Sequence, residues 1–441
     1  MQLSRMKQMS LGFQHVLAMY AGAVVVPLLV GSALGLTAAQ LTYLIAIDIM
    51  MCGVATILQV WKKKFSGIGL PVVLGCTFTA VGPMIAIGNT YGIPAIYGAI
   101  ITAGLFVILI GSFFSKLVRL FPPVVTGAVV LIIGVTLVPV AMNDIAGGQG
   151  SADYGSMTNL MLGFGTLAVI LILFRFGKGF IKSISILSGI IIGTVVAGFM
   201  GMVDFSAVGD ASWLHLPQVF YFGTPEFHLV PILTMMLVVT VGLIEATGVY
   251  FALGDITEKK VGADDLKRGY RAEGIAIILG GLVNAFPYTT YSQNVGLIQL
   301  SGVKSNQIIY IAGGMLILLG LVPKIGAVTI AIPTSVLGGA MLAMFGMVIA
   351  YGIKMLSRVD FSDQRNLMIV AVSVGMGLGV TVVPEMFAIV PENLKVITES
   401  GIVMGSLTAI ILNFIYHIGD MDYLKSRKKV EAPIGEQVTD A

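Results

Sequence analysis

Glu245 stands near the middle of an apolar run, from about Phe227 to Leu253, that holds no other charged residue. A carboxylate at that depth in hydrocarbon is costly unless it faces a protein interior or an aqueous cavity, so its position marks it as functional. The small residues in Gly242-Leu243-Ile244-Glu245-Ala246-Thr247-Gly248-Val249-Tyr250 leave room for a close helix or a ligand. Such a group has two uses. Ionised, it accepts hydrogen bonds from ligand N–H groups; neutral, it carries a proton. The plainer alternative is a glutamic acid that hydrogen-bonds a neighbouring helix. Gln293 and Asn294 follow Tyr288-Thr289-Thr290-Tyr291-Ser292. An amide presents one acceptor and two donors, which suits a planar heterocycle carrying adjacent C=O and N–H groups. Backbone N–H groups at a helix start add donors without adding charge. Each of the two amides either meets such a ligand or pins the start of its helix.

His15, the only histidine in the first half of the chain, can relay a proton or tune Glu245, or simply satisfy an adjacent helix. Asp48 lies in another apolar segment and can neutralise or orient a polar partner there. Gly75, Cys76, Thr77 and Phe78 occur together, Phe78 offering either an aromatic wall or ordinary packing.

These residues are carried by a membrane chain. Of 441 residues, 57% are hydrophobic and 11% charged, mean hydropathy is +0.97, and apolar stretches of spanning length recur throughout. A helical bundle follows, because each spanning backbone must satisfy its own polar groups. The spans expected are 13–33, 41–61, 71–87, 94–113, 121–142, 158–175, 182–202, 228–253, 271–286, 293–303, 307–322, 331–355, 366–384 and 399–417. With the N-terminus inside, all of the 25 Lys and Arg residues except Lys324 and Lys395 fall on the cytoplasmic side, among them Lys62 to Lys64, Arg119 and the cluster from Lys425 to Lys429. That asymmetry supports an even number of spans and two cytoplasmic termini. The first apolar stretch lacks a small-residue cleavage signature and is expected to be a retained helix.

Two segments interrupt the helical pattern. Residues 67–83 and 286–302 each place Gly and Pro around a short β-branched or polar run. Each is expected to be extended chain entering a half-helix, which is tolerated at membrane depth only inside protein or beside a cavity. They are third and tenth in order, the corresponding places in two sets of seven. Pro122, Val125 and Gly127 also match Pro333, Val336 and Gly338 at a constant offset of 211 (333 less 122, 336 less 125, 338 less 127). An odd number of spans per repeat inverts the second copy, the plan of many secondary transporters. Gly127 and Gly338 are then expected where one helix slides past another.

Other chemistries are poorly served. The chain has no HExxH, no Walker lysine loop, no nucleophile elbow and no Cys/His cluster, so neither an enzyme, a metal site nor a cofactor is expected. Cys52 and Cys76 sit in apolar surroundings and form no disulfide framework. Basic residues recur in small groups rather than in a nucleic-acid-binding patch. A membrane scaffold and a channel remain as rivals, although no repeated carbonyl filter or charged constriction is evident.

The run Gln293-Asn294-Val295-Gly296-Leu297-Ile298-Gln299-Leu300-Ser301-Gly302 resembles the signature of the nucleobase-ascorbate transporters, or nucleobase:cation symporter-2 family: Gln or Glu, Asn, one variable residue, Gly, four variable residues and Thr. Ser301 keeps a hydroxyl at the Thr place. Gln14-His15 and Glu245 also fit, so the resemblance extends over essentially the whole chain. It implies an all-α polytopic fold of fourteen segments in seven-plus-seven inverted repeats, with short strands around residues 72–76 and 289–292. Residues 1–119 and 227–323 would form a substrate-binding core, 120–203 and 324–420 a gate that supports homodimers, and 421–441 a flexible cytoplasmic tail. Glu245 and Gln293 would hold the base, with Asn294, Phe78, Cys76 and Ser292 around them. Glu245, His15 and Asp48 would be the candidates for proton coupling. Gln at the first motif place resembles xanthine and urate carriers, whereas Glu there is common in uracil carriers. Xanthine-selective relatives often carry Asp one turn after the glutamate, where this chain has Val249. The activity implied is proton-linked xanthine import across a bacterial plasma membrane, with urate or uracil as alternatives. No second carboxylate lies close to Glu245 in sequence, which favours a proton over sodium.

Overall fold

The computed structural model describes residues 4–117 and 122–417. Arg119, the Lys425 to Lys429 cluster and the 421–441 tail lie outside the described residues. The chain opens with α1 (Arg5–Ala33), α2 (Ala38–Val60), β1 (Leu74–Cys76), a 3-10 turn at Phe78–Ala80, α3 (Val81–Tyr91) and α4 (Ile93–Leu117). Next come α5 (Pro123–Ile145), α6 (Met157–Phe176), α7 (Phe180–Ser183), α8 (Ser185–Phe199) and the short α9 (Ser206–Asp210). The following stretch holds α10 (Leu229–Thr257), α11 (Ala263–Leu282), β2 (Tyr288–Thr290), α12 (Ser292–Ser301), α13 (Asn306–Gly320) and α14 (Pro323–Ile330). Last are α15 (Thr334–Leu356), α16 (Gln364–Val382), α17 (Glu392–Thr398) and α18 (Gly401–His417).

Local chemistry sets many of these boundaries. Ser4 caps α1, and Thr37 with Gln40 forms a capping box on α2. Pro122 and Pro333 stand at the N-caps of α5 and α15, where a missing N–H costs nothing. At the end of α12, Gly302 takes φ +66°, a left-handed turn that side chains rarely adopt.

Among the described residues, eight helices are long and apolar enough to cross a membrane: α1, α2, α4, α5, α6, α10, α15 and α16. A ninth results if α13 and α14, bent by 78° at their junction, are one span. Of the remaining expected spans, 271–286 overlaps α11, which ends at Leu282 and is not among those eight, and the other four are built differently. Residues 71–87 contain strand, turn and an 11-residue helix, and 293–303 holds the 10-residue α12. The helices within 182–202 and 399–417 have 15 and 17 residues. Hydropathy registers apolar length without distinguishing extended chain from helix, so it overstates helix at a break.

The helices pack in two groups. In one, α2 lies against α1 and α13 while α4 lies against α10 and α11; in the other, α5, α15, α16 and α18 pack together with α6 and α8 alongside. Within the second group, α5 and α15 run antiparallel in close contact. A side chain at Gly127 would meet Leu356, and one at Gly338 would meet the backbone of Ile145 and Asp144. Gly127 and Gly338 are 211 positions apart, as are Ile145 and Leu356 (356 less 145), so each helix makes the same contact on the other.

These glycines therefore lie inside one packed group, not at the sliding surface expected of them. The consequence is a stability prediction: Gly338→Leu must push α5 away along its backbone. Overpacking of this kind costs roughly 1–3 kcal/mol or more. Thermal unfolding in detergent should show a clearly lowered midpoint and a lower folded yield; an unchanged midpoint would count against it.

Candidate functional site

The two breaks meet. β1 and β2 pair antiparallel, with Leu74 opposite Thr290, Gly75 opposite Thr289 and Cys76 opposite Tyr288. Thr77 N–H donates to the Pro287 carbonyl and Tyr291 N–H to that of Val73, both at 2.9 Å, extending the ladder at each end. Both strands are fully buried and pass directly into helical turns. They are shorter than the extended stretches around 72–76 and 289–292 expected from the sequence, and β2 begins one residue earlier.

Neighbouring polar groups fix this small sheet. Leu74 N–H donates to the Thr56 hydroxyl at 3.0 Å. Asp48, fully buried, accepts the Phe286 N–H at 2.8 Å and so holds the chain entering β2. The Tyr291 hydroxyl donates to the Cys76 carbonyl at 2.9 Å, and its ring occupies the place where a side chain on Gly75 would stand. Glycine at 75 is thus a requirement of close approach, not of backbone angle. Cys76 contributes its backbone to the sheet while its side chain is wholly buried.

The amide pair divides. Asn294 donates from Nδ2 to the His15 carbonyl at 3.0 Å and lies 3.1 Å from His15 Nδ1, tying α12 to α1. His15 and Asn294 are 4% and 1% exposed, so this is an interior tether. Gln293, one residue earlier, has no such engagement. Among the described residues, no protein group hydrogen-bonds the side chain of either Gln293 or Glu245, and both are only half-buried. Their helices are in contact, because α10 packs against β2 and α12.

Space accompanies both side chains. A Cβ on Gly242, one turn before Glu245, would meet nothing within 4 Å although the residue is buried; a Cβ on half-buried Gly296, one turn after Gln293, would also meet nothing. Residues three apart share a helix face. Ser292 begins α12 without a side-chain cap from Tyr291, leaving backbone donors at the helix start. Phe78, half-buried at the turn after β1, meets Phe345 of α15 edge-on, with ring centroids 5.5 Å apart and planes at 88°. The arrangement offers a carboxylate, an amide, N–H donors and an aromatic face, the set needed to grip a flat, neutral, polar ring.

Glu273 was not singled out from the sequence. It is 2% exposed on α11, and the Tyr250 hydroxyl donates to its carboxylate while Gln59 donates to Tyr250. Thus a buried carboxylate 28 residues from Glu245 (273 less 245) is held by the next helix and bonded to Tyr250 of the helix that carries Glu245. The available signal was an acidic residue inside an expected span, but the charged stretch immediately before it made it look like part of a surface segment.

Fold and site together define a helical multi-pass membrane protein with a strand-paired break at its centre. The transmembrane domain of the cyanobacterial bicarbonate transporter BicA has a similar fold (TM-score 0.61, 18% identity, covering 89% of this chain and 99% of that one). A model described as "Permease family" matches residues 6–386. The chain is 62% identical over 434 residues to the xanthine permease of Bacillus subtilis (strain 168), covering 98% of each. It is also 62% identical over 415 residues to the uric acid permease PucK of the same organism, covering 94% of this chain and 96% of that one. The chain therefore belongs to this permease family, the nucleobase:cation symporter-2 family, and is a bacterial multi-pass membrane protein and not an enzyme.

Proposed function

We propose that this chain imports xanthine by secondary active transport, with proton symport and alternating access. The observation that carries the reading is the pair of unengaged polar side chains, Glu245 and Gln293, on adjoining helices beside open space. Three other polar residues near them make hydrogen bonds within the protein: Asn294 to His15, Asp48 to Phe286 and Glu273 to Tyr250. In this reading Glu245 and Gln293 grip the base edge, Ser292 and the start of α12 add donors, and Phe78 supplies a wall. Glu245 carries the proton, while His15 and Asp48 hold the frame. Urate is the nearest alternative substrate, given the name of the second relative, and uracil the next.

The reading includes fourteen segments in two inverted repeats, supported by the reciprocal contacts of α5 and α15. Residues 1–119 and 227–323 form the core, and 120–203 and 324–420 the gate. A homodimer formed through the gate belongs to the same reading, and exposed apolar side chains on α6, α16 and α18 are available to it or to lipid. Both termini are assigned to the cytoplasm by the distribution of Lys and Arg.

Labelled xanthine uptake into proteoliposomes should rise when the outside is acidified and collapse with a protonophore. Full uptake without a proton gradient at clamped voltage, together with strict sodium dependence, would reject proton coupling. Accumulation against a gradient would eliminate the scaffold and channel alternatives. A folded protein with no flux across purines, pyrimidines and ascorbate would favour the scaffold.

A further inference from the structure

We propose that two residues of α15, Phe345 and Met355, seal the Glu245–Gln293 site from opposite ends, so that each is a gate on the path of the base. The proposal rests on the transport reading for the identity of the base, but the seals themselves follow from packing.

A crevice of about 910 Å³ enters the molecule between α1 and α3 on one side and α5 and α15 on the other. Its walls include Val81 and Gly82 at the start of α3, and Leu337 and Met341 on α15; neither Glu245 nor Gln293 lines it. Phe345 lies one turn beyond Met341, and Phe78 opens the turn that leads to Val81. Phe78 and Phe345 do not line the crevice themselves; their edge-on contact lies just past these walls, with Phe345 wholly buried, and in this proposal it closes the inner end. Two aromatic rings in this geometry gain attraction beyond area burial and leave no polar atom to admit water.

Further along α15, where it meets α10, the open space beside Gly242 and Glu245 comes to an end. The Met355 Cε atom lies 2.9 Å from where a Cβ on Gly248 would stand, so the methionine tip fills the hollow left by that glycine. Gly242 and Gly248 flank Glu245 by one turn on each side. Helix α10 thus passes from open space one turn before the carboxylate to closure one turn after it. From Phe345 to Met355 is ten residues (355 less 345), or ~15 Å of helix, long enough to bracket a bicyclic base with its binding side chains. Methionine suits a seal that must re-form, because its unbranched side chain adapts to an irregular surface. Both seals join one packed group to the other, α15 against Phe78 and α15 against α10, and a rocking of the groups would break one while keeping the other.

The test places a reporter between the seals. Gly242→Cys introduces a thiol where a side chain meets nothing, and the native Cys52 and Cys76 are both buried. In sealed proteoliposomes of known orientation, a membrane-impermeant methanethiosulfonate reagent is added to either side. In the Gly242→Cys background, Phe345→Ala should speed labelling from the crevice side alone, by about tenfold or more, since a seal held by a few contacts opens locally. Met355→Ala should speed it from the opposite side alone. Phe345→Leu, which keeps apolar bulk but loses the edge-on contact, serves if the alanine variant does not fold and should give the same sidedness with a smaller effect. Unchanged labelling in both seal variants on protein of normal melting temperature, or acceleration from both sides equally, overturns the proposal. Xanthine should protect the reporter; labelling that obeys the seals yet ignores xanthine sustains the seals and counts against the substrate reading instead.

Discussion

Glu245→Gln is expected to abolish accumulation of xanthine against its gradient while leaving a folded protein. The substitution keeps the size of the side chain and one acceptor oxygen, but removes the only group in the proposed pocket that is both unengaged and able to gain or lose a proton. Without it, movement of the base is no longer tied to movement of a proton, and uphill transport has no driving force. The half-buried position of Glu245 and the empty surroundings of Gly242 leave room for the amide without steric conflict. Uptake into energised proteoliposomes would be compared with exchange of labelled for unlabelled xanthine at equal concentrations. Accumulation at the wild-type level would rule out Glu245 as the coupling group. Residual exchange without accumulation would separate coupling from binding.

Gln293→Ala should weaken xanthine binding by a large factor and raise the substrate concentration needed for half-maximal uptake. A polar ligand group left unpaired in a closed site costs about 1–3 kcal/mol, corresponding to roughly 5–150-fold in affinity. Asn294 is not positioned to compensate, because its amide nitrogen is held by His15. Gln293→Glu converts a donor and acceptor into an acceptor alone when ionised, and should lower the preference for xanthine relative to uracil. Isothermal titration on purified variants gives the affinities directly. Unchanged xanthine affinity in Ala variants at both 245 and 293 would show that the base binds elsewhere.

Much of this site was legible because it violates local rules. A carboxylate alone in an apolar run, and Gly and Pro around a short polar run at membrane depth, are costly features that can be seen one segment at a time. The membrane class followed from composition for the same reason. What the linear pattern could not give is which neighbour satisfies which group. Asn294 and Gln293 are adjacent in sequence, yet one turns to His15 and the other is left unengaged; only the packing of α1 on α12 separates them. Asp48 looked like a titratable group of uncertain partner, and its partner proved to be the backbone of Phe286, far away in the chain. Glu273 was hidden by the charges that precede it, although Tyr250 donates to it and Gln59 in turn donates to Tyr250, each from another helix. Gly127 and Gly338 are paired by their spacing, and each meets the other helix at positions offset by the same interval. Their use as fixed contacts became apparent only when α5 and α15 were seen to pack on one another.

That packing is self-complementary: what Gly127 receives from Leu356, Gly338 receives from Ile145. An interface in which each surface offers the other the same knob and hollow is the kind made by two identical subunits about a twofold axis. In the inverted-repeat reading proposed above, two copies of a half-length ancestor inserted into a bilayer in opposite directions would have met through this contact as a dual-topology dimer, and joining them in one chain would have kept the contact while freeing each copy to diverge, leaving Glu245 and Gln293 in one half without counterparts that must match them in the other.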